Sequence, residues 1–419
     1  MSLGESPHQP PAGSTLVEAH CHIFELGRWL GMLDLSPCRS AGDMLALIAD
    51  RRRDLITLGR SPDIYAMGAR PESWDQPGWP SLAELDRVTE GGRCIAWCFD
   101  IHTLMANSAA LERADKTTSP GQPEGVVTEE DAHAVWASIE EPTGEERLDT
   151  VAHALDHLAS LGYREAHDMR TQPWLPADLA ELERRGRLPL DVRLYTLVEN
   201  IARLVRTRAD FESDRIALAG GKIFTDGTLN SRTALMLEPF ADGPPEHPAG
   251  LALMSADEIA ASVRTCDELG VPLAAHAIGD GAVRNVLDGI ELAKPRTAGI
   301  RVEHCELVDE ADIPRFAGLG LTVSMQPCHL LYDIESLQRA QPSRLDRVMP
   351  IRELIDSGLE PGTTLVFGSD APVVSAHAGD SLQAAVERRR VEMTPDQAIA
   401  PDQAITLDEA LACFGILSD

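Results

Sequence analysis

The sequence predicts an α/β fold, specifically a closed (β/α)8 TIM barrel. Three observations lead there. Eight short apolar runs, at residues 16–22, 163–169, 188–198, 216–225, 271–278, 300–307, 321–326 and 364–369, alternate with amphipathic helical stretches. That order builds a parallel sheet. A chain of 419 residues has room for one such barrel and an insertion. Side chains capable of chemistry stand at the C-terminal ends of several runs, where a barrel gathers its active site.

Residues 1–15 are polar and rich in Pro and Gly, and read as a flexible N-terminal segment. They lack a basic region followed by an apolar core, so they read as neither signal peptide nor membrane anchor. From 16 to 419 the chain reads as a single barrel domain. In its first strand Val17, Ala19 and Cys21 alternate with Glu18, His20 and His22. Residues two apart in a strand share a face, so His20 and His22 project together. Two imidazoles on one face make half of a metal site.

The stretch of about 23–150 reads as an insertion after this strand. It begins as loop and then helix, with Met44, Leu45, Leu47, Ile48, Leu55 and Ile56 at helical spacing over 41–56. Residues 70–80 are dense in turn formers and carry Trp74 and Trp79. They read equally as a surface loop pinned by its aromatics or as an active-site lid. A short strand at 93–99 runs into His102 and Asn107, and 117–125 is polar and turn-rich. Thr128 precedes three acids, as an N-cap residue would. Beyond it, helices are predicted at 145–161, 175–187, 255–269, 281–292, 310–319 and 407–414. Gly162 and Gly270 stand at two of their ends.

The net charge of −30 argues against nucleic acid and anionic membrane surfaces as partners, because both would be repelled. A homodimer stays open. Eight scattered cysteines without a Cys-x-x-Cys pair fit a reduced, cytoplasmic protein. No apolar run approaches the length of a membrane span.

The strand ends carry the chemistry. Strand one ends in His20 and His22, strand four carries Lys222, strand five ends in His276, strand six in His304 and strand eight in Asp370. A single strand histidine is usually a satisfied core residue. Four of them with a lysine and an aspartate, all at one end of a barrel, point to a metal site. Lys222 could instead pair with a carboxylate such as Asp226.

This set resembles the amidohydrolase superfamily: His-x-His on strand one, Lys on four, His on five, His on six, Asp on eight. The flanking words resemble its YtcJ-like and N-substituted formamide deformylase-like branch of metal-dependent hydrolases. They are Lys222-Ile223-Phe224-Thr225-Asp226-Gly227 with the following residues to Ala234, His276-Ala277-Ile278-Gly279-Asp280, Arg301-Val302-Glu303-His304, Ser324-Met325-Gln326-Pro327-Cys328-His329 and Gly368-Ser369-Asp370-Ala371-Pro372. Within the insertion, Asp100-Ile101-His102 and the residues from Asn107 to Leu111 match too. The likeness covers nearly the whole chain from residue 16. It departs in one respect: the small β-sandwich that usually flanks the barrel is expected to be missing or vestigial.

The resemblance implies two divalent metal ions, zinc by expectation. His20, His22 and Asp370 would hold one, His276 and His304 the other, and Lys222 would bridge them as N6-carboxylysine. Asp370 would serve as general base and then acid in the hydrolysis of an amide-type C–N bond. His102, Asn107, Arg232, Gln326 and His329 are the candidates for substrate contact. For His102 and Asn107 a structural turn is an equal reading, and Arg232 could instead anchor its own loop. The same metals could serve ester or other non-peptide hydrolysis or decarboxylation. A metal-stabilised binding barrel without catalysis is the remaining alternative.

Overall fold

The computed structural model describes residues 6–98 and 103–416. In chain order the strands are β1 (Leu16–Cys21), β2 (Leu33–Asp34), β3 (Ile64–Ala69), β4 (Cys94–Cys98), β5 (Thr103–Ala106) and β6 (Val126–Thr128). Then come β7 (Tyr163–Asp168), β8 (Asp191–Leu197), β9 (Ile216–Phe224), β10 (Leu273–Ala277), β11 (Arg301–His304), β12 (Thr322–Met325) and β13 (Leu365–Phe367). They form two sheets, and the chain divides into two compact units. One unit is Arg28–Thr150, and the other comprises the residues before and after it.

The second unit is the barrel. Its eight strands lie in the order β1-β7-β8-β9-β10-β11-β12-β13, every neighbouring pair parallel. Each of the eight runs read from the sequence is one of these strands. The ring is drawn together where the chain beyond β13 meets β1. Asp370 N donates to His20 O at 2.7 Å, His22 N donates to Ala371 O at 2.8 Å, and Cys21 bridges Ala371 in parallel. Gly368 permits this approach: a Cβ there would lie 2.4 Å from His20 N. Strands β10 and β11 are buried at every residue, as expected of parallel strands covered on both faces.

Helices separate the strands. Ala256–Glu268 starts with a capping box between Ser255 and Glu258, and the left-handed Gly270 (φ 71°) stops it shortly before β10. Gly144–Ser160, Leu175–Arg184, Asp280–Ala293, Ile313–Gly318 and Leu407–Cys413 match the predicted helices within a few residues.

The unit Arg28–Thr150 departs most from the sequence reading. It holds a second five-stranded sheet of order β2-β3-β4-β5-β6, parallel from β2 to β4 and antiparallel from β4 to β6. Only β4 had been anticipated. The strand β4 explains its unbroken apolar run: Cys94 and Ala96 face one cluster with Met44, Ile48, Ile64 and Trp74. Ile95 and Trp97 face another with Leu104, Leu111, Val127 and Val135. Trp74 is buried in the first cluster and meets Trp79 edge-on at 6.2 Å, so aromatics pin the 70–80 loop. Thr128 is the N-cap residue of Glu129–Ala137, but its side chain makes no capping bond.

Among the described residues every strand belongs to one of these two sheets, and no helix is long and apolar enough to cross a membrane. All eight cysteines are buried.

Candidate metal centre

Register decides which side chains enter the barrel. Lys222 on β9 pairs with Ala274 on β10, and His276 pairs with Glu303 on β11. Paired residues share a face and residues two apart share it again, so Lys222, His276 and Glu303 point the same way. His304, one residue beyond Glu303, would point oppositely in a continuing strand. Its φ of 74° and that of Cys305 at 49° turn the chain back instead, and Asp370 uses the same device at φ 64°. Left-handed backbone in non-glycine residues costs roughly 1–3 kcal/mol each and collects at functional sites.

Five imidazoles result in one group. Ring centres lie 5.7 Å apart for His20–His22, 4.9 Å for His20–His304, 4.4 Å for His276–His304 and 6.0 Å for His304–His329. Asp370 stands among them. Its Oδ1 is 2.9 Å from His22 Nε2 and 3.4 Å from His20 Nε2, and its Oδ2 is 3.8 Å from His329 Nε2. Donor atoms of His20, His22 and Asp370 lie within 4.8 Å of one another, as do those of His304, His329 and Asp370.

Hydrogen bonds fix which nitrogens are free to ligate. His20 Nδ1 donates to Glu303 Oε2 at 2.7 Å, so its lone pair is on Nε2, facing Asp370. His276 Nε2 donates to Gly227 O at 3.2 Å, which leaves Nδ1 as the lone pair. An acceptor on the far nitrogen is the usual support of a metal-binding histidine. Asp370 Oδ1 is buried without a hydrogen bond of acceptable geometry, although two imidazole nitrogens crowd it. Donor atoms of His20, His22 and Asp370 gathered in this way fit a divalent cation.

Lys222 is 1% exposed, and its Nζ has no hydrogen-bond partner. Burial lowers its pKa to about 8 against the pull of Glu303 and Asp370. The pairing with Asp226 does not form. Asp226 instead accepts from the backbone N–H groups of Leu235, Ile278 and Gly279 at 2.9–3.1 Å, tying the loops after β9 and β10 together. Burial nonetheless pushes its carboxyl up to about 7. Burial also lowers His276 to about 3 and His304 well below the ordinary range, which keeps both neutral as ligation requires. For Asp370 the histidines His20 and His22 overcome burial and hold the carboxyl well below its usual range.

The substrate candidates separate. Gln326 directly follows β12, donating to Ser324 O at 3.2 Å, with its Oε1 buried and unpartnered. His329 opens the helix His329–Ala340 beside Asp370, and Glu306 overrides burial to raise it to about 9. Arg232 is committed elsewhere. Its fork grips Asp242 with two 2.6 Å bonds and reaches Ser336 Oγ and Leu229 O, so it anchors the β9 loop. Asn107 is also structural. It caps the helix Ser108–Ala114, accepting from Ala110 N and Cys94 N and donating to Thr89 Oγ1 and Gly92 O. That leaves its amide nothing for a ligand. His102 lies outside the described residues.

Sequence reasoning missed the support beneath the ligands. Glu303 is fully buried between His20 and Arg301, whose guanidinium meets it at 2.8 and 3.2 Å and also reaches Ala19 O and His167 Nδ1. Glu18 Oε1 accepts from His20 N and Ser369 N, joining β1 to the Asp370 segment. The signal was available: Arg301 and Glu303 are charges two apart in a barrel strand, hence on the face that holds His276.

Comparison with known proteins agrees with this geometry. Residues 15–418 match the sequence profile of the amidohydrolase family. An uncharacterized metal-dependent hydrolase from Pyrococcus furiosus superposes with a TM-score of 0.78 at 27% identity, over 96% of this chain and 80% of that one. Bacillus subtilis YtcJ is 25% identical over 398 residues, 89% of this chain and 72% of its own. The N-substituted formamide deformylase of Arthrobacter pascens is 24% identical over 358 residues, 76% of this chain and 64% of its own.

Proposed function

Since the chain belongs to the amidohydrolase family and is a metal-dependent hydrolase of that superfamily, we propose that it cleaves the C–N bond of a small amide. The observation that carries this reading is the gathering of His20, His22, His304 and Asp370, with the ring of His276 against His304 and the buried, unpartnered Lys222 in their electrostatic reach. The relative named N-substituted formamide deformylase supports an amide-type bond. The net charge of −30 supports a small molecule over a nucleic acid.

His20, His22 and Asp370 would hold one divalent cation and His276 and His304 a second, with Lys222, as a carbamate, the further anionic oxygen donor. Zinc suits so imidazole-rich a set. Lys222 is prepared for this by burial, since its neutral amine adds to carbon dioxide with loss of a proton. When bound, such cations polarise a carbonyl and bring the pKa of water to about 7. Asp370 takes the proton of the attacking water and returns it to the leaving nitrogen, so the amide becomes a carboxylate and an amine. Glu303 keeps the Nε2 lone pair of His20 directed inward throughout.

The test is metal per chain, measured by inductively coupled plasma mass spectrometry on protein purified without chelator, for wild type and Lys222→Ala. About two equivalents, falling towards one or none in the variant, are expected. One equivalent unchanged by the substitution would remove Lys222 from the site. No metal in either protein, even after reconstitution, would sink the mechanism. A panel of N-formyl and N-acyl amines with matched esters then identifies the bond. Asp370→Asn should keep much of the metal and lose turnover. Hydrolysis near the wild-type rate in that variant would exclude Asp370 as the base.

A further inference from the structure

Glu306 has no part in the assignments so far, yet the fold places it with care. It is buried, two residues beyond His304, and the left-handed pair His304–Cys305 swings the chain towards it. Its backbone is held on both sides: Cys305 N donates to Ala277 O, Leu307 N to Ile278 O, and Met349 N to Glu306 O at 2.7 Å. The carboxylate thus has little freedom, and its Oε1 lies 3.1 Å from His329 Nδ1.

A carboxylate accepts, so His329 Nδ1 carries the proton of that bond and the ring cannot turn over without losing it. Nε2 is thereby aimed at Asp370 Oδ2 across 3.8 Å, too far for a hydrogen bond. It is buried and has no hydrogen-bond partner. Meanwhile Asp370 Oδ1 faces His20 and His22. The two oxygens of Asp370 are therefore divided, one towards the metal-binding histidines and one towards His329.

We propose that Glu306 is a positioning residue: it orients His329 so that Nε2, opposite Asp370 Oδ2, meets the polar atoms of the scissile group. His329 is the catalytic residue of this pair, touching substrate, and Glu306 acts through it. The inference rests on the amide-hydrolase reading for its substrate, but the orientation of His329 can be measured without one.

The experiment uses the full metal-loaded chain and the variants Glu306→Ala, Glu306→Gln, His329→Gln and the double variant Glu306→Ala/His329→Gln. With 15N-histidine labelling, His329 is assigned by its loss in His329→Gln. Its Nδ1–H resonance should be present in wild type, retained in Glu306→Gln, whose amide oxygen still accepts, and altered in Glu306→Ala. On a turned-over member of the amide panel, Glu306→Ala should lower kcat by about 100-fold, the cost of a misplaced group. KM should change far less, and Glu306→Gln should recover most of the rate. The double variant should be no worse than His329→Gln, as expected for residues acting as a unit.

Multiplying losses in the double variant would overturn the proposal, as would an unchanged His329 signature in Glu306→Ala. Loss of metal in His329→Gln would make His329 a ligand and overturn it too. Should Glu306→Ala fail to fold, Glu306→Gln and His329→Gln still decide: a Glu306→Gln protein with the wild-type ring signature but the His329→Gln rate refutes positioning. If no amide in the panel reacts, the functional reading fails while the spectra still judge Glu306.

Discussion

Replacing Glu303 with Gln tests whether the ligands depend on what lies beneath them. The carboxylate is fully buried and receives three charged or polar donors: Arg301 Nε at 2.8 Å, Arg301 Nη2 at 3.2 Å and His20 Nδ1 at 2.7 Å. An amide keeps the shape, removes the charge and offers one acceptor where two served. Breaking a buried ion pair costs about 3–5 kcal/mol. Arg301 retains Ala19 O and His167 Nδ1 as acceptors, which places the expected loss near the lower end, about 3 kcal/mol. The new N–H also confronts one of the former donors. If His20 turns or changes tautomer in response, its Nε2 lone pair is lost, and metal affinity should drop about 10–100-fold. Urea unfolding of chelated protein measures the first quantity and metal competition the second. Burial raises the Glu303 pKa, but Arg301 and His20 outweigh it and hold the group well below the carboxylate range. Its contribution is therefore present above the unfolded pKa and lost only as pH falls through the depressed folded value. The deficit of the variant should accordingly persist from neutral to mildly acidic pH and close only in strong acid. A stability change under about 0.5 kcal/mol, the range of inert surface substitutions, with metal affinity unchanged would refute the reasoning.

Three further outcomes follow from the geometry. Asn107→Ala removes a helix cap and strands the buried N–H of Cys94, so it should cost about 2–4 kcal/mol in a denaturant titration. A tenfold rise in KM with stability intact would instead return Asn107 to the substrate. Glu18 is fully buried, and burial raises its pKa from 4.5 to about 7. A raised folded pKa gives a contribution present below the unfolded value and lost as pH rises through the folded one. Chelated wild type should thus lose roughly 3 kcal/mol relative to Glu18→Gln between these limits, and parallel stability–pH curves would disprove it. Gly368→Ala places a methyl 2.4 Å from His20 N and 2.7 Å from Glu18 Oε1. It should cost about 1–3 kcal/mol or more and lower metal per chain; full metal content at the wild-type melting temperature would show that β1 can yield.

The barrel was readable because its strands are apolar runs separated by helices of clear period, and barrel geometry then assigns the strand ends. The insertion was not. Strand β2 has only two residues, β5 and β6 have four and three, and such lengths carry no periodic signal. Asn107 and Arg232 stood out as motif residues, but a motif records that a residue matters and not what it touches. One is a cap and the other a loop anchor. Glu303, Arg301 and Glu306 passed as neighbours of His304 because their partners, His20 and His329, lie far away in sequence. Period-two parity alone would have sent Glu303 inward. No parity rule reaches Glu306, which lies past a turn through two left-handed residues.

That turn has a bearing on how this scaffold drifts. At His304 and Asp370 the torsion, as much as the side chain, is what the fold has committed to. Asn, Asp and His are the non-glycine residues that best tolerate it, and β-branched residues do not. A descendant released from its metal would therefore be expected to hold Asn or Gly at these two positions rather than Val or Ile. The shape of the former site would remain written in the backbone after its chemistry had gone.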